Sequence, residues 1–442
     1  MIEYDFESLS NELQKMALGA CFLGSGGGGE FKTSSMFIEN YLKYCSEDEK
    51  NHKLRIADLD DVEAGQGRSG IVVAYMGAPQ KADSIKCPDA VCEVINKFWE
   101  DKGKRIDFII PAEIGAVSTI AACLTAHKLN KPVLNVDGAG RAVPTLDLVT
   151  YTTNAGASVN PTILCSEKTD KDPVYHQVKL EISEDTDPGA ASKMESLARP
   201  VLNMPEFDQK AGLVMWYFED VTKLFKVDHD TYPSVPGTLT FCLKLGGAIQ
   251  SIQGKKGVFS DIKKMFSEKL FLDKSIYPSI KEICHGKLIS ATTLTAGGFD
   301  VGVITIKDED EAKAEDNSEH LYKIIFQNES LILWDSDSPI PLVMAPDLIS
   351  YLIEDDEGQY VFTNGDIMEN GALKKCLEKK NIVVYGIAAP EALTKSEKKI
   401  MDKRKDILSN TNADVEHNAL PKHYMSILNT VGYYGKYVPL EK

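Results

Sequence analysis

The stretch that decides the fold class is Ile71-Val72-Val73-Ala74-Tyr75-Met76, a short apolar run that ends at Gly77-Ala78-Pro79. A continuous apolar run of this length is typical of a strand that is buried on both faces of a sheet. Two further runs of the same kind follow, at Ile106 to Ile110 and at Pro132 to Val136. We therefore expect three neighbouring strands in the interior of one sheet.

Helical patterns separate these strands and also precede them. The segments from Pro88 to Trp99 and from Ala116 to Leu129 have helical character, as do Ser8 to Leu23 and Ser34 to Cys45. Strand, helix and strand in alternation, joined by short links, imply parallel pairing with right-handed crossovers. The sequence predicts an N-terminal α/β domain with a mainly parallel sheet over residues 1–165.

The predicted secondary structure changes in the rest of the chain. Residues 166–285 are a mixed α/β segment, in which Gly246-Gly247 interrupts the helical pattern from Leu239 to Gln250. Residues 286–392 are rich in strand patterns, including a hairpin signal at Ala296-Gly297-Gly298. Residues 393–442 form a charged, partly helical tail. We expect a multidomain protein whose C-terminal β-rich module could cover the loops of the first domain.

A glycine run, Gly24-Ser25-Gly26-Gly27-Gly28-Gly29, follows the first helical pattern. Four consecutive glycines are conformationally costly, so the fold must need a positive φ there or a close approach of the backbone to a ligand. The run lacks the Lys-Ser/Thr ending of a phosphate-binding loop and no clear strand precedes it. Two interpretations stay open, a nest of N–H groups that binds an anion and a flexible turn between helices.

Carboxylates stand at the ends of the second and third strands, in Glu113-Ile114-Gly115 and in Asp137-Gly138-Ala139-Gly140-Arg141. In open parallel sheets, ligands bind beyond the carboxyl ends of the strands. A carboxylate in this position can accept a proton or orient water, and Arg141 can stabilise negative charge. The alternative is structural, with Glu113 and Asp137 capping the segments that follow and pairing with Arg141.

Composition excludes several classes of partner. The chain of 442 residues has 49 Lys and Arg against 66 Asp and Glu, a formal charge of −17, which disfavours nucleic acid and anionic membranes. No apolar run approaches the roughly 20 residues of a membrane span. The nine cysteines are odd in number and lack CxxC spacing, which disfavours a disulfide framework. The sequence predicts a soluble, cytoplasmic protein without a cofactor, and it leaves the oligomeric state open.

A metal site is a weaker hypothesis. Asp228-His229-Asp230 offers three ligand types, but adjacent loop residues seldom bind one ion, so a polar surface loop is the favoured interpretation. His285 follows Cys284 directly before the β-rich module. A hydrolase that binds a metal through carboxylates with His229 or His285 is retained as one alternative.

Several short motifs, each weak alone, occur in an order that resembles one family, the S-methyl-thiohydantoin desulfurase-like proteins. In the first half the motifs are Leu23-Gly24-Ser25-Gly26-Gly27-Gly28-Gly29, Met76-Gly77-Ala78-Pro79, Glu113-Ile114-Gly115 and Asp137-Gly138-Ala139-Gly140-Arg141-Ala142-Val143-Pro144. In the second half they are Pro236-Gly237-Thr238-Leu239, Thr295-Ala296-Gly297-Gly298-Phe299, Phe326-Gln327-Asn328-Glu329 and Ala345-Pro346-Asp347-Leu348. The resemblance extends from about residue 9 to about residue 392.

This resemblance implies an enzyme that removes a methylthio group from a five-membered thiohydantoin-type ring, giving a hydantoin and methanethiol. Asp137 or Glu113 would then act on the water, while Arg141 and the N–H groups of Gly26 to Gly29 would stabilise charge on the ring. The substrate-binding glycines would be Gly26, Gly27, Gly28, Gly29, Gly77, Gly115, Gly138 and Gly140.

Members of this family often accompany hydantoinase/oxoprolinase-type enzymes, which implies such a protein as a partner. The second hypothesis follows from the same association. In it the chain is a non-catalytic accessory or binding subunit of a hydantoinase/oxoprolinase-type enzyme.

Overall fold

The computed structural model describes residues 1–65, 68–77, 88–100, 103–168, 174–187, 189–225, 232–252, 276–296, 299–309, 320–355, 360–409 and 423–440. Several features of the sequence lie outside these ranges. They are Ala78-Pro79, the loop Asp228-His229-Asp230 and the turn Gly297-Gly298.

The helices alternate with strands in the first half of the chain and are sparse in the second. The α-helices are α1 (Phe6–Leu23), α2 (Phe31–Tyr44), α3 (Leu59–Ala64), α4 (Asp89–Val94), α5 (Ala116–Lys128), α6 (Thr150–Thr153), α7 (Ala190–Leu202), α8 (Thr238–Ile252), α9 (Glu391–Ser409) and α10 (Tyr424–Thr430). A π-helical turn, Ile95–Glu100, extends α4. Single 3-10 turns occur at Glu49–Asn51, Leu146–Leu148, Val221–Leu224 and Lys375–Leu377.

Most strands of the first half are short, whereas several in the second half are long. They are β1 (Ile2–Tyr4), β2 (Leu54–Ala57), β3 (Gly70–Gly77), β4 (Phe108–Pro111), β5 (Val133–Leu134), β6 (Val136–Asp137), β7 (Thr162–Cys165), β8 (Gln177–Leu180), β9 (Lys210–Phe218) and β10 (Val235–Pro236). The others are β11 (Ile280–Ala296), β12 (Phe299–Asp308), β13 (Leu321–Gln327), β14 (Glu329–Asp335), β15 (Val343–Met344), β16 (Leu348–Glu354), β17 (Tyr360–Val361), β18 (Met368–Glu369), β19 (Ala372–Leu373) and β20 (Asn381–Ile387).

The first sheet confirms the α/β prediction. Its eight strands follow the order β1-β2-β5-β4-β3-β9-β7-β8, and the adjacent strands β2, β5, β4 and β3 pair in parallel. The edges are antiparallel, because β1 pairs with β2 while β9 pairs with both β3 and β7. The strand β4, after which Glu113 lies, belongs to this parallel part of the sheet.

Strand β9 is an element that the sequence analysis did not identify. Its nine residues are buried apart from Tyr217, which is half-buried. The strand lies between β3 and β7 in the interior of the first sheet, so a segment from the mixed middle of the chain completes the N-terminal sheet.

Helices cover both faces of this sheet. One apolar cluster joins residues of α1, α2, α5 and α8 to one face, and a second cluster joins α7 to the other. Helix α8 runs without a break through Gly246-Gly247, which corrects the predicted interruption. A Cβ on Gly246 would lie 1.6 Å from the carbonyl oxygen of Lys15, so this glycine allows α8 to approach α1 closely.

The second sheet is antiparallel and has ten strands, in the order β15-β14-β13-β12-β11-β20-β16-β17, with β19 pairing with β11 and β18 with β19. The predicted C-terminal β-rich module is confirmed. Strands β11 and β12 pair up to Ala296 and Phe299, as expected for the predicted hairpin. Strand β16, in the interior of the sheet, was not identified from the sequence.

The C-terminal segment packs against the junction of the two sheets. The carboxylate of Asp347 accepts hydrogen bonds from the N–H groups of Ala389 and Leu440 and from the hydroxyl of Tyr437. Helix α10 joins an apolar cluster with residues of both halves, including Ala139 and Leu331. Within the described ranges, no helix combines the length and the apolar character needed to cross a bilayer.

Candidate active site

The glycine run connects α1 to α2 by a backbone that only small residues adopt easily. The φ angles of Gly26, Gly28 and Gly29 are +84°, +73° and +93°, and Ser25 also has a positive φ. A Cβ on Gly27 would lie 2.3 Å from Oε1 of Glu329. The left-handed backbone expected of the run is therefore present, and the groups that approach its glycines closely belong to the protein itself.

The carbonyl oxygens of the run hold the two halves of the molecule together. The carbonyls of Ser25 and Gly26 accept hydrogen bonds from the N–H groups of Ser330 and Asn364, at 2.7 and 2.8 Å, and both donors belong to the C-terminal half. The carbonyl of Gly28 accepts from the N–H of Val117 at 3.0 Å, at the start of α5. The run is therefore anchored on both sides.

A cavity of about 130 Å³ lies where the first sheet meets the second. Its wall includes the ends of β3 and β4, the start of α5, part of α7 and the start of β9. The turn between β13 and β14 supplies Asn328 and Glu329, while the glycine run supplies Gly28 and Gly29. Among the described residues, neither Gly28 nor Gly29 donates its N–H to another backbone or side-chain group. Both N–H groups are available to a ligand.

Glu113 brings the first carboxylate to this cavity from the end of β4. Its Oε2 accepts the N–H of Val143 at 2.6 Å, and its Oε1 accepts the hydroxyl of Ser118 at 3.1 Å. Burial raises the pKa of Glu113 to about 7, although these two hydrogen bonds lower it. Glu113 can therefore exchange a proton near neutral pH.

Glu329, the first residue of β14, brings a second carboxylate to the cavity, and it was not selected from the sequence. Its side chain is buried, and its Oε2 has no hydrogen-bond partner among the described residues. Burial, followed by the negative charge of Glu113, raises the pKa of Glu329 to about 8. A signal was present, because Glu329 ends the motif Phe326-Gln327-Asn328-Glu329 on which the family resemblance rests.

Other polar side chains line the same cavity. Glu195 of α7 accepts from the guanidinium of Arg199 at 2.6 Å, and its other oxygen accepts the N–H of Leu146. The guanidinium of Arg199 lies 4.2 Å from the ring centre of Phe299, at the start of β12. Lys210 approaches Asp208 at 3.5 Å. The cavity therefore combines carboxylates with two cations, and none of these side chains was chosen from the sequence.

Asp137 is fully buried and does not line the cavity. Its Oδ2 accepts the N–H groups of Ala139 and Gly140, at 2.9 and 2.7 Å, and so shapes its own turn. Burial raises its pKa to about 7, although these hydrogen bonds lower it. This geometry matches the capping part of the structural alternative that the sequence left open, whereas the expected pairing partner, Arg141, donates to carbonyl oxygens.

Arg141 is also fully buried and lies outside the cavity wall. Its guanidinium donates to the carbonyl of Ala142 and to three carbonyls of the C-terminal half, those of Ser330, Pro346 and Asp347. The ring of Tyr424 lies 5.5 Å from the guanidinium carbon. Arg141 therefore connects the loop after β6 to the second sheet, and its charge also lowers the pKa values of Glu113 and Glu329.

The predicted glycines divide into three groups. Gly28, Gly29 and Gly77 line the cavity. Gly26 and Gly27, again with Gly29, line a smaller cavity of about 20 Å³ next to it. The remaining three line neither cavity, and each meets a neighbouring part of the protein: Gly115 meets Gly28, Gly138 donates to the carbonyl of Ala112, and Gly140 accepts from the hydroxyl of Tyr277.

The histidines considered as metal ligands lie away from this cavity or outside the described ranges. His229 belongs to the undescribed segment, and His285 is exposed on β11 beside Glu282. In the described ranges, one group of three residues could hold a metal ion: His320, Asp335 and Asp337. Both ring nitrogens of His320 already lie within 3 Å of a carboxylate oxygen, of Asp308 and of Asp335.

Comparison with known proteins identifies the family. The N-terminal domain of the S-Me-THD-like proteins matches residues 11–174, and the C-terminal domain of the same proteins matches residues 191–401. A crystal structure of a protein from Chromobacterium violaceum, determined by a structural genomics consortium, matches over the full length of both chains with a TM-score of 0.73 and 27% sequence identity. No curated protein matches. The resemblance that the motifs indicated is confirmed, and the chain belongs to the S-Me-THD-like family.

Proposed function

We propose that this protein is a hydrolase that removes the methylthio group from an S-methyl-thiohydantoin-type ring. One observation carries the proposal. Two glutamates, Glu113 from the first sheet and Glu329 from the second, line one small cavity, and their pKa values are raised to about 7 and about 8. Two carboxyl groups that ionise near neutrality are suited to receiving and returning the protons of a water molecule.

The reaction replaces the methylthio group on the amidine-type carbon of the ring by oxygen. The Glu113–Glu329 pair, carrying one negative charge, removes a proton from water as the oxygen attacks that carbon. The same pair gives this proton to the ring nitrogen, whose electron pair comes from the broken C=N bond. A C=O bond then forms as the C–S bond breaks. The second water proton, which the attacking oxygen still holds, passes to the glutamate pair. Methanethiolate departs and takes up one proton, and the glutamate pair releases its extra proton, so the pair regains its single negative charge.

Negative charge develops on the ring and on the attacking oxygen during this addition. The N–H groups of Gly28 and Gly29 border the cavity and have no acceptor among the described residues. The first turn of α5, which supplies Val117 and Ser118 to the same wall, adds the positive end of a helix dipole. We assign the two glycine N–H groups to the stabilisation of this charge.

The size of the cavity agrees with a small substrate. A volume of about 130 Å³ holds a small heterocycle but not a polymer. Both halves of the chain line the site, because Glu329 reaches it from the second sheet. The burial of Glu329 strengthens its electrostatic interactions relative to those of an exposed carboxylate.

The experiment measures methanethiol release from an S-methyl-thiohydantoin with a thiol reagent, together with hydantoin formation. We expect Glu329→Gln and Glu113→Gln each to lower kcat/KM by about 10²-fold or more, because each removes a proton-transfer group. Glu397→Gln is the matched control, since Glu397 is a buried glutamate that does not line the cavity. Values for Glu329→Gln and Glu113→Gln close to that of the control would contradict the assignment.

The same assay separates the enzyme from an accessory subunit. If the wild-type protein releases no methanethiol alone but does so, or changes the rate of the partner, after a hydantoinase-type protein is added, the accessory hypothesis is favoured. Turnover by the purified chain alone supports the proposed function.

A further inference from the structure

We propose that Tyr75 is the general acid that protonates the departing sulfur, with Glu167 resupplying its proton. The inference rests on the proposed function. It assigns a donor to the leaving sulfur, a step for which the proposed function names no side chain. Tyr75 lies near the end of β3 and lines the cavity together with Glu113 and Glu329. Its hydroxyl lies 2.9 Å from Oε1 of Glu167, which follows β7.

Two charged groups surround this tyrosine–glutamate pair. Gly77 pairs with Lys210 across β3 and β9, so Tyr75, two residues before Gly77, points to the same face of the sheet as Lys210. Burial raises the pKa of Glu167 to about 7, with Asp89 raising it further and the Tyr75 hydrogen bond and Lys210 lowering it. The charged groups that act on Glu167 are therefore Asp89 and Lys210, and neither Glu113 nor Glu329 is among them.

Protonation states suit an acid at this wall. Burial raises the pKa of Tyr75 well above its usual value, so the phenol keeps its proton at neutral pH. Glu167 is part protonated under the same conditions. When Glu167 is protonated it can donate to the phenol oxygen, and the phenol proton is then free to point into the cavity.

A donor at this position would assist the departure, because sulfur that takes a proton as the C–S bond breaks leaves as neutral methanethiol. As the C–S bond breaks, its electron pair goes to sulfur, and sulfur takes the proton of the Tyr75 hydroxyl. The phenol oxygen takes the proton of Glu167 at the same time, so no buried phenolate forms and the proton lost overall is that of Glu167. The Glu113–Glu329 pair has meanwhile gained one proton from water, so the exchange of one proton with bulk water restores both pairs.

A packing role is the alternative for Tyr75, since its ring lies edge-on to Phe37 with 5.9 Å between the ring centres. Tyr75→Phe keeps that ring and removes only the hydroxyl. If Tyr75 is an acid, the loss of kcat in Tyr75→Phe depends on the leaving group of the substrate. If Tyr75 only packs, the loss is the same for every leaving group.

The test compares two substrates, the S-methyl and the S-(2,2,2-trifluoroethyl) thiohydantoin, whose fluorinated thiol is more acidic and leaves without a proton. We expect Tyr75→Phe to lower kcat by about 10²-fold on the S-methyl substrate. On the fluorinated substrate we expect a loss of less than about fivefold, because an acid contributes little there. Glu167→Gln should show the same dependence in weaker form.

The matched control is Tyr217→Phe. The hydroxyl of Tyr217 donates to the carbonyl of Arg105, and Tyr217 does not line the cavity, so both substrates should react at the wild-type rate. Equal losses on both substrates, or no loss on either, in Tyr75→Phe would overturn the inference. Failure of the wild-type protein on both substrates would instead overturn the proposed function, and the inference with it.

Discussion

The backbones of Gly28 and Gly115 meet so closely that a Cβ on Gly28 would lie 2.4 Å from the α-carbon of Gly115. One of these glycines belongs to the glycine run and the other precedes α5. Their contact brings the free N–H groups of the run to the carboxyl end of β4, where Glu113 lies. Two glycines that are 87 residues apart in the chain (115 − 28) thus determine one wall of the cavity.

Gly28→Ala is expected to destabilise the protein strongly, and Gly103→Ala is its matched control. The φ angles of the two glycines are +73° and +74°, so both variants carry the same backbone strain. A Cβ on Gly103 meets nothing within 4 Å. The difference between the two variants therefore isolates the clash with Gly115, which we expect to cost about 1–3 kcal/mol. Urea unfolding measures it, and equal losses of stability would disprove the close contact.

Arg141→Met tests the connection between the two halves of the chain. The substitution keeps an apolar stem but leaves the carbonyls of Ser330, Pro346 and Asp347 without their buried donor. We expect a loss of about 3–5 kcal/mol in the free energy of unfolding, because each buried carbonyl left without a donor costs about 1–3 kcal/mol. Arg68→Met is the control, because Arg68 is mostly exposed and pairs with Asp220 at 3.7 Å. If both variants lose under about 1 kcal/mol, the guanidinium does not hold the halves together.

The buried carboxyl group of Glu329 makes stability depend on pH. Its pKa rises from 4.5 to about 8 on folding, so between these values the folded protein keeps a proton that the unfolded chain releases. Raising the pH through this window favours the unfolded state. The free energy of unfolding therefore falls progressively between about pH 4.5 and about pH 8.

Glu329→Gln should therefore gain stability relative to the wild type as the pH rises through that window, because the amide does not titrate. The measurement is the melting temperature of both proteins as a function of pH. A difference between the two proteins that stays constant with pH would show that the carboxyl group titrates as it does in the unfolded chain.

Adjacent glycines in α8 give opposite predictions. A Cβ on Gly246 would lie 1.6 Å from the carbonyl oxygen of Lys15, whereas a Cβ on Gly247 meets only the Lys15 side chain, at 3.7 Å. Gly246→Ala must push α8 away from α1 and should cost about 1–3 kcal/mol. Gly247→Ala should stabilise the helix by about 0.5–1 kcal/mol, because alanine has the higher helix propensity. Thermal unfolding of the pair measures the contrast, and the same sign for both variants would refute the proposed helix contact.

Local sequence patterns were sufficient for the parallel half of the first sheet. The runs at Ile71–Met76 and Ile106–Ile110 are short and apolar, the helices between them are periodic, and neither feature needs distant contacts to be recognised. The predicted strand ends also located Glu113 and the turn after Asp137. Each of these signals lies within a few residues of the element that it predicts.

Strand β9 and the helix through Gly246-Gly247 depended on tertiary contacts. The burial of β9 follows from its pairing with β3 and β7, which come from earlier parts of the chain. Two adjacent glycines weaken a helix considered alone, but in α8 one of them provides the space that α1 occupies. Helix propensity is a property of the residue alone, so it does not include the contact that α8 makes with α1.

The chain alone was therefore enough to indicate the fold class, the family and one carboxylate of the cavity, because each rests on short motifs in a fixed order. Only the docking of the second sheet onto the first brings Glu329 into the same cavity as Glu113. The tertiary structure also buries Asp137 and Arg141 away from the wall of that cavity. Burial and charge act through space, so a pair of glutamates from two different sheets has no signature in the sequence between them.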